Sequence, residues 1–203
     1  MSKSINNSSM WEVKPLKLSI LVPTRELVVQ VVEAAKKLTK YMNVTSVGVF
    51  GGVNINTQAI EVEKGADLIV ATPGRLFDLI MNGSIKTKTI KKLVIDEMDE
   101  MLNLGFRKQI TNILELLPQK RQNLLFSATM PVKMRDLARK ILTNPVEINI
   151  AISKPPEQIV QKAFIVYEQQ KAGIIKDMLG SKRFSKVIVF CSKKQNVKEL
   201  TTI

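Results

Sequence analysis

The stretch DLIVATPGRL, residues 67–76, joins a strand-length apolar run directly to a helix start. Leu68 to Ala71 is apolar at every position, the mark of a strand covered on both faces, and such strands belong to parallel sheets. Thr72 suits a helix cap and Pro73 the first helical turn. That leaves backbone N–H groups and the Arg75 side chain facing outward, an environment that suits a phosphate. An ordinary helix start carries the same residues, so the stretch speaks for architecture before it speaks for function.

Outward from it the same alternation recurs. Leu18–Val22, Ser46–Phe50, Leu93–Ile95, Asn123–Phe126 and Val146–Ile150 read as further strands. Between them Phe106, Ile110, Ile113, Leu114 and Leu117 make one helical stripe, and Leu27, Val31, Ala34 and Leu38 make another. A βαβ series of this kind predicts an α/β fold, a mostly parallel sheet with right-handed crossovers. In a parallel sheet every strand ends at the same edge, where ligands bind. The residues following the strands are Pro23-Thr24-Arg25-Glu26, Gly51-Gly52, Thr72-Pro73-Gly74-Arg75, Asp96-Glu97-Met98-Asp99 and Ser127-Ala128-Thr129. Arginines, hydroxyls, glycines and carboxylates therefore converge on one rim. Taken singly, each has a plain alternative: a turn for the glycines, a dipole-complementing first turn for Glu26, a solvated strand end for the acids.

Composition narrows the chemistry. The chain has 203 residues, 45% of them hydrophobic, enough for one core or for one core and part of another. Lys and Arg outnumber Asp and Glu by 31 to 18, a net charge of +13 that suits a polyanion. No histidine is present, which excludes His-based zinc sites, Ser-His triads and imidazole acid-base catalysis. The single Cys191 excludes an intrachain disulfide. No apolar run approaches the ~20 residues of a membrane span, and the first residues lack the order of a signal peptide. A cytoplasmic setting is the expectation.

VPTREL, FGG, ATPGRL, VIDEMDEMLNLGF and FSATMP, in that order, resemble motifs Ia, GG, Ib, II and III of the DEAD-box RNA helicases, and KVIVFC at residues 186–191 resembles motif IV. The resemblance implies a RecA-like parallel sheet with flanking helices, a first helicase lobe lacking its P-loop strand, followed by the start of a second RecA-like lobe. It implies ATP and Mg²⁺ as cofactors and single-stranded or duplex RNA, held by its backbone, as partner. Asp96 resembles the carboxylate that reaches Mg²⁺ through water, and Glu97 the base that orients the attacking water. Asp99, Ser127, Ala128 and Thr129 resemble the set that couples nucleotide state to lobe closure. Pro23, Thr24, Arg25, Glu26, Gly51, Gly52, Thr72, Pro73, Gly74 and Arg75 fall in the motifs that contact the RNA backbone.

Three departures from the family pattern stand out. Met98 replaces an alanine, and its longer side chain must find room beside Ser127-Ala128-Thr129 or move it. No Gly-Lys-Ser or Gly-Lys-Thr tripeptide occurs, so the phosphate loop G-x-x-x-x-G-K-[ST] is absent. The second lobe, read as strands over 162–167 and 186–191 with a helix near Lys171 to Leu179 between them, would stop after motif IV. The expected organisation is a flexible tail over 1–15, a partial ATP-binding lobe over 16–151, a linker over 152–161 and a shortened second lobe over 162–203, a helicase cut at both ends. Two functions follow: an ATP-dependent RNA helicase represented by a fragment that does not turn over ATP unaided, or a non-catalytic single-stranded RNA-binding or degenerate product.

Overall fold

The computed structural model describes residues 15–150, 159–180 and 184–202. The chain divides into two compact units, one through Glu147 and one from Ile148. The expected tail and linker lie outside the described residues, apart from Pro15 and residues 159–161.

The first unit is built on five strands: β1 (Leu18–Leu21), β2 (Ser46–Val49), β3 (Leu68–Ala71), β4 (Lys92–Ile95) and β5 (Gln122–Leu125). They form one sheet in the order β2-β3-β1-β4-β5, and every pairing is parallel. The helices are α1 (Arg25–Leu38), α2 (Ile55–Glu63), α3 (Pro73–Met81), α4 (Met98–Asn103), α5 (Arg107–Leu116) and α6 (Val132–Ile141). This is the expected α/β, RecA-like arrangement.

The two faces of the sheet are covered unequally. On one, Leu21, Val49, Ile69, Ala71, Leu93 and Ile95 pack with residues from α2 to α6, among them Leu76, Met101, Ile113 and Met134. On the other, Leu68 and Val70 are buried under Val28 and Val32 of α1. β3 is thus covered on both faces, which is why its sequence is apolar throughout. The register sets Ile20, Val94 and Leu124 in one row with Val70, yet these three are only half-buried. Apolar side chains on this face of β1, β4 and β5 therefore keep part of their surface in water.

Two helical stripes fared differently. Ile110, Ile113 and Leu117 are buried as expected, with Phe106 and Leu114 packed against them. On α1 the buried residues are Val28 and Val32; Leu27 and Val31 of the expected stripe are partly buried and pack beside them, while Ala34 and Leu38 are exposed, which corrects the second half of that stripe. Its cause is Gly48. A Cβ there would lie 3.0 Å from Val28 and 3.2 Å from Val32, so the glycine opens a slot into which α1 rolls those two valines.

The expected sixth strand does not form. Residues 146–150 carry no strand, and Val146, Ile148 and Ile150 are exposed. The second unit has α7 (Lys171–Gly180) and α8 (Lys194–Thr201), but neither Lys162–Tyr167 nor Lys186–Cys191 forms the strand expected of it. The reason is common to all three: an apolar run becomes a strand only beside another strand that takes up its N–H and C=O groups. Among the described residues none of these runs has such a neighbour.

Candidate functional site

The strand registers assemble the site. Leu21 is level with Ala71 and Ile95, Ala71 with Val49, and Ile95 with Leu125. The ladder runs one residue further: Val22 N–H donates to Ala71 O, Thr72 N–H to Val49 O, Asp96 N–H to Leu21 O, and Phe126 N–H to Ile95 O, at 2.8–3.1 Å. All five expected segments therefore leave the sheet at one level. Along the rim they stand in the order Gly51-Gly52, Thr72–Arg75, Pro23–Glu26, Asp96–Asp99 and Ser127–Thr129, the order of their strands.

Thr24 caps α1, its Oγ1 accepting from Leu27 N–H at 3.2 Å, with Pro23 buried before it. Arg25 then projects at the start of the helix and lies 4.9 Å from the centroid of the Phe50 ring, so it is held by a π face while the first-turn Glu26 stays exposed. Gly52 has a φ of +83°, which the turn after β2 requires of a glycine. Gly51 and Gly74 differ in having no positive φ, and a Cβ at either, as at Gly52, would meet no protein atom within 4 Å. Packing does not demand glycine at those two positions, and their backbone stands open at the rim.

Thr72 occupies the cap position of α3 with Pro73 following, but its hydroxyl makes no cap bond and remains available. Arg75 is placed otherwise than expected. It is half-buried, with Nη1 donating to Gln58 Oε1 at 2.6 Å and Nη2 to the Val53 carbonyl at 2.9 Å. Both acceptors are neutral, so the guanidinium keeps its full charge. Gln58 was not anticipated. The signal was a polar residue one turn from Val62 on the buried side of α2.

On the acidic side, Asp96 Oδ1 accepts from Glu97 N–H at 2.9 Å. Glu97 sits in the left-handed region, φ 49° and ψ 49°, where a non-glycine residue is strained. This conformation turns the chain sharply between β4 and α4, at the two adjacent acidic residues. Replacing Glu97 with glycine is expected to raise the unfolding free energy by about 1 kcal/mol, whereas alanine should bring no such gain. Thermal melts of the two variants check this, and equal midpoints would remove the claim of strain.

Asp99 closes the link to the next loop. Its Oδ2 accepts from Thr129 N–H at 3.1 Å and from Thr129 Oγ1 at 2.8 Å, and its own N–H donates to Ser127 Oγ at 3.2 Å. Partial burial raises the Asp99 pKa, but the hydrogen bonds from Thr129, Ser127 and the backbone N–H of Glu100 outweigh it and hold the carboxyl below its ordinary range. Ala128 is exposed between these two hydroxyl residues. Met98 is fully buried, its N–H donating to Phe126 O at 3.2 Å, so the longer side chain is accommodated with the Asp99 clasp made.

A magnesium ion keeps several waters and takes one or two carboxylates together with substrate phosphates. Asp96 fits that demand, with Oδ2 facing no partner among the described residues, and no set of three metal-ligating side chains gathers among them. No helix among the described residues is long and apolar enough to cross a membrane.

A family model described as DEAD/DEAH box helicase matches residues 5–137. The ATP-dependent RNA helicase DbpA of Bacillus subtilis (strain 168) is 35% identical over 192 residues, which cover 94% of this chain and 40% of that protein. The chain thus spans well under half the length of this relative. With the motif-bearing loops on one rim of a parallel sheet and a family match over most of the first unit, the chain belongs to the DEAD/DEAH box helicase family.

Proposed function

We propose that this chain is the RNA-gripping part of an ATP-dependent RNA helicase: a partial first lobe over 16–151, a linker over 152–161 and the beginning of a second lobe over 162–203. One observation carries the reading. Three loops with outward glycines and hydroxyls stand side by side at the ends of β2, β3 and β1, and their two guanidiniums face no carboxylate. A nucleic-acid backbone supplies the missing negative charge at regular intervals. Pro23 to Glu26, Gly51-Gly52 and Thr72 to Arg75 are the contact segments, and the cytoplasm is the setting we take for them.

The acidic half of the rim serves the nucleotide. Asp96 would hold water-clad Mg²⁺, and Glu97 would orient water toward the terminal phosphate of ATP, which supplies the transferable phosphoryl group. Asp99 with Ser127, Ala128 and Thr129 would carry the nucleotide state to the rest of the protein, because the clasp joins the loop after β4 to the loop after β5. A second reading, a non-catalytic RNA-binding protein, is favoured by one fact: no phosphate-loop tripeptide exists in the sequence.

Fluorescence anisotropy with a short single-stranded RNA tests the common ground of both. Weak, sequence-indifferent binding that falls steeply with salt is expected, and Arg25→Ala with Arg75→Ala should lower affinity and flatten the salt slope by roughly 0.7 per lost phosphate contact. Unchanged affinity and slope would put the interface elsewhere on the basic surface.

A further inference from the structure

Gln58 lies on the inward side of α2 and is 5% exposed. A buried amide among apolar neighbours costs free energy unless its polar atoms find partners. Its Oε1 accepts from Phe50 N–H at 3.3 Å and from Arg75 Nη1 at 2.6 Å. The network extends from both ends. Arg75 Nη2 reaches the Val53 carbonyl just beyond the glycine pair, and the Phe50 ring carries the Arg25 guanidinium. One amide oxygen is therefore tied to the loops that follow β1, β2 and β3.

We infer that Gln58 is a positioning residue, which sets the spacing of the three phosphate-facing loops and leaves the Arg75 charge uncompensated for the ligand. The inference rests on the RNA-binding reading above. An amide meets both requirements together. Glutamate at 58 would accept the same two hydrogen bonds but would neutralise Arg75. Methionine would keep the approximate shape and remove the acceptor, releasing the Phe50 N–H and the arginine fork at once.

The test uses the full chain with Gln58→Met and Gln58→Glu, following amide exchange and the anisotropy of a labelled oligouridylate through a salt series. In Gln58→Met, exchange at the Phe50 amide should quicken about tenfold while Ile110 and Ile113 keep their rates, and affinity should fall about tenfold. Its salt slope should stay at the wild-type value, because no charge has changed. In Gln58→Glu, Phe50 protection should return and the slope should flatten by roughly 0.7, one phosphate on a single strand. A loss of packing alone would not separate affinity from slope in this way. Wild-type exchange at Phe50 together with wild-type affinity in Gln58→Met overturns the inference. If Gln58→Met loosens α5 as well, Gln58→Glu decides, and an unaltered slope overturns it. A wild-type chain that ignores oligouridylate, with Phe50 exchange still governed by residue 58, sinks the RNA reading and upholds the loop geometry.

Discussion

The chain of 203 residues is expected to release no phosphate from Mg-ATP above background, with or without RNA. Phosphoryl transfer asks little covalent chemistry of the protein and a great deal of charge stabilisation. In the P-loop class that comes from a cradle of backbone N–H groups and a lysine on the β- and γ-phosphates. Removing a single preorganised donor from a site that stabilises developing charge costs ~10²–10³ in rate. Losing a cradle of several takes turnover below detection, even with Asp96 and Glu97 both present at the rim. Tight Mg-ATP binding should fail for the same reason, since Asp96 alone offers the metal one carboxylate. A phosphate-release assay run beside Glu97→Gln decides. Turnover in the wild-type chain that the variant abolishes would show that other residues replace the cradle.

Much of this site was legible because it depends on chain order. Five apolar runs gave the five strands, and parallel pairing then required their C-terminal ends, with Arg25, Gly51, Thr72, Asp96 and Ser127 nearby, to share one rim. What stayed hidden depends on partners distant in sequence. Two overlapping stripes exist on α1, and only the slot above Gly48 selects Val28 and Val32 over Ala34 and Leu38. The half-burial of Arg75 stayed hidden because it depends on Gln58, 17 residues earlier, as its acceptor. The runs at 146–150, 162–167 and 186–191 have strand composition, but composition cannot supply the neighbouring strand that each one needs.

The same dependence on a neighbour governs the last expectation, at the outer edge of the sheet. β5 pairs with β4 alone among the described residues. Gln122 N–H donates to Lys91 O and Phe126 N–H to Ile95 O, both at 2.8 Å, and the alternation of a parallel ladder gives Leu124 the same direction. The N–H groups of Asn123 and Leu125 then point away from the sheet. Hydrogen exchange should therefore alternate along this strand, slow at 122, 124 and 126 and fast at 123 and 125, while the buried face of α5 at Ile110 and Ile113 is protected throughout. An outward edge of this kind, beside a half-buried apolar face, templates pairing between chains. The isolated chain should consequently aggregate at concentrations where compact domains stay dispersed. Leu124→Lys places a charge on that edge and on the half-covered face, and Leu124 is not among the residues packed against the main core. The variant is expected to raise the soluble fraction several-fold without weakening RNA binding, because the contact loops lie at the ends of β1, β2 and β3. Strong protection at 123 and 125 together with no gain in solubility would mean that another segment already pairs with β5. The free edge would then be closed, and the poor solubility expected of this chain would lose its physical cause.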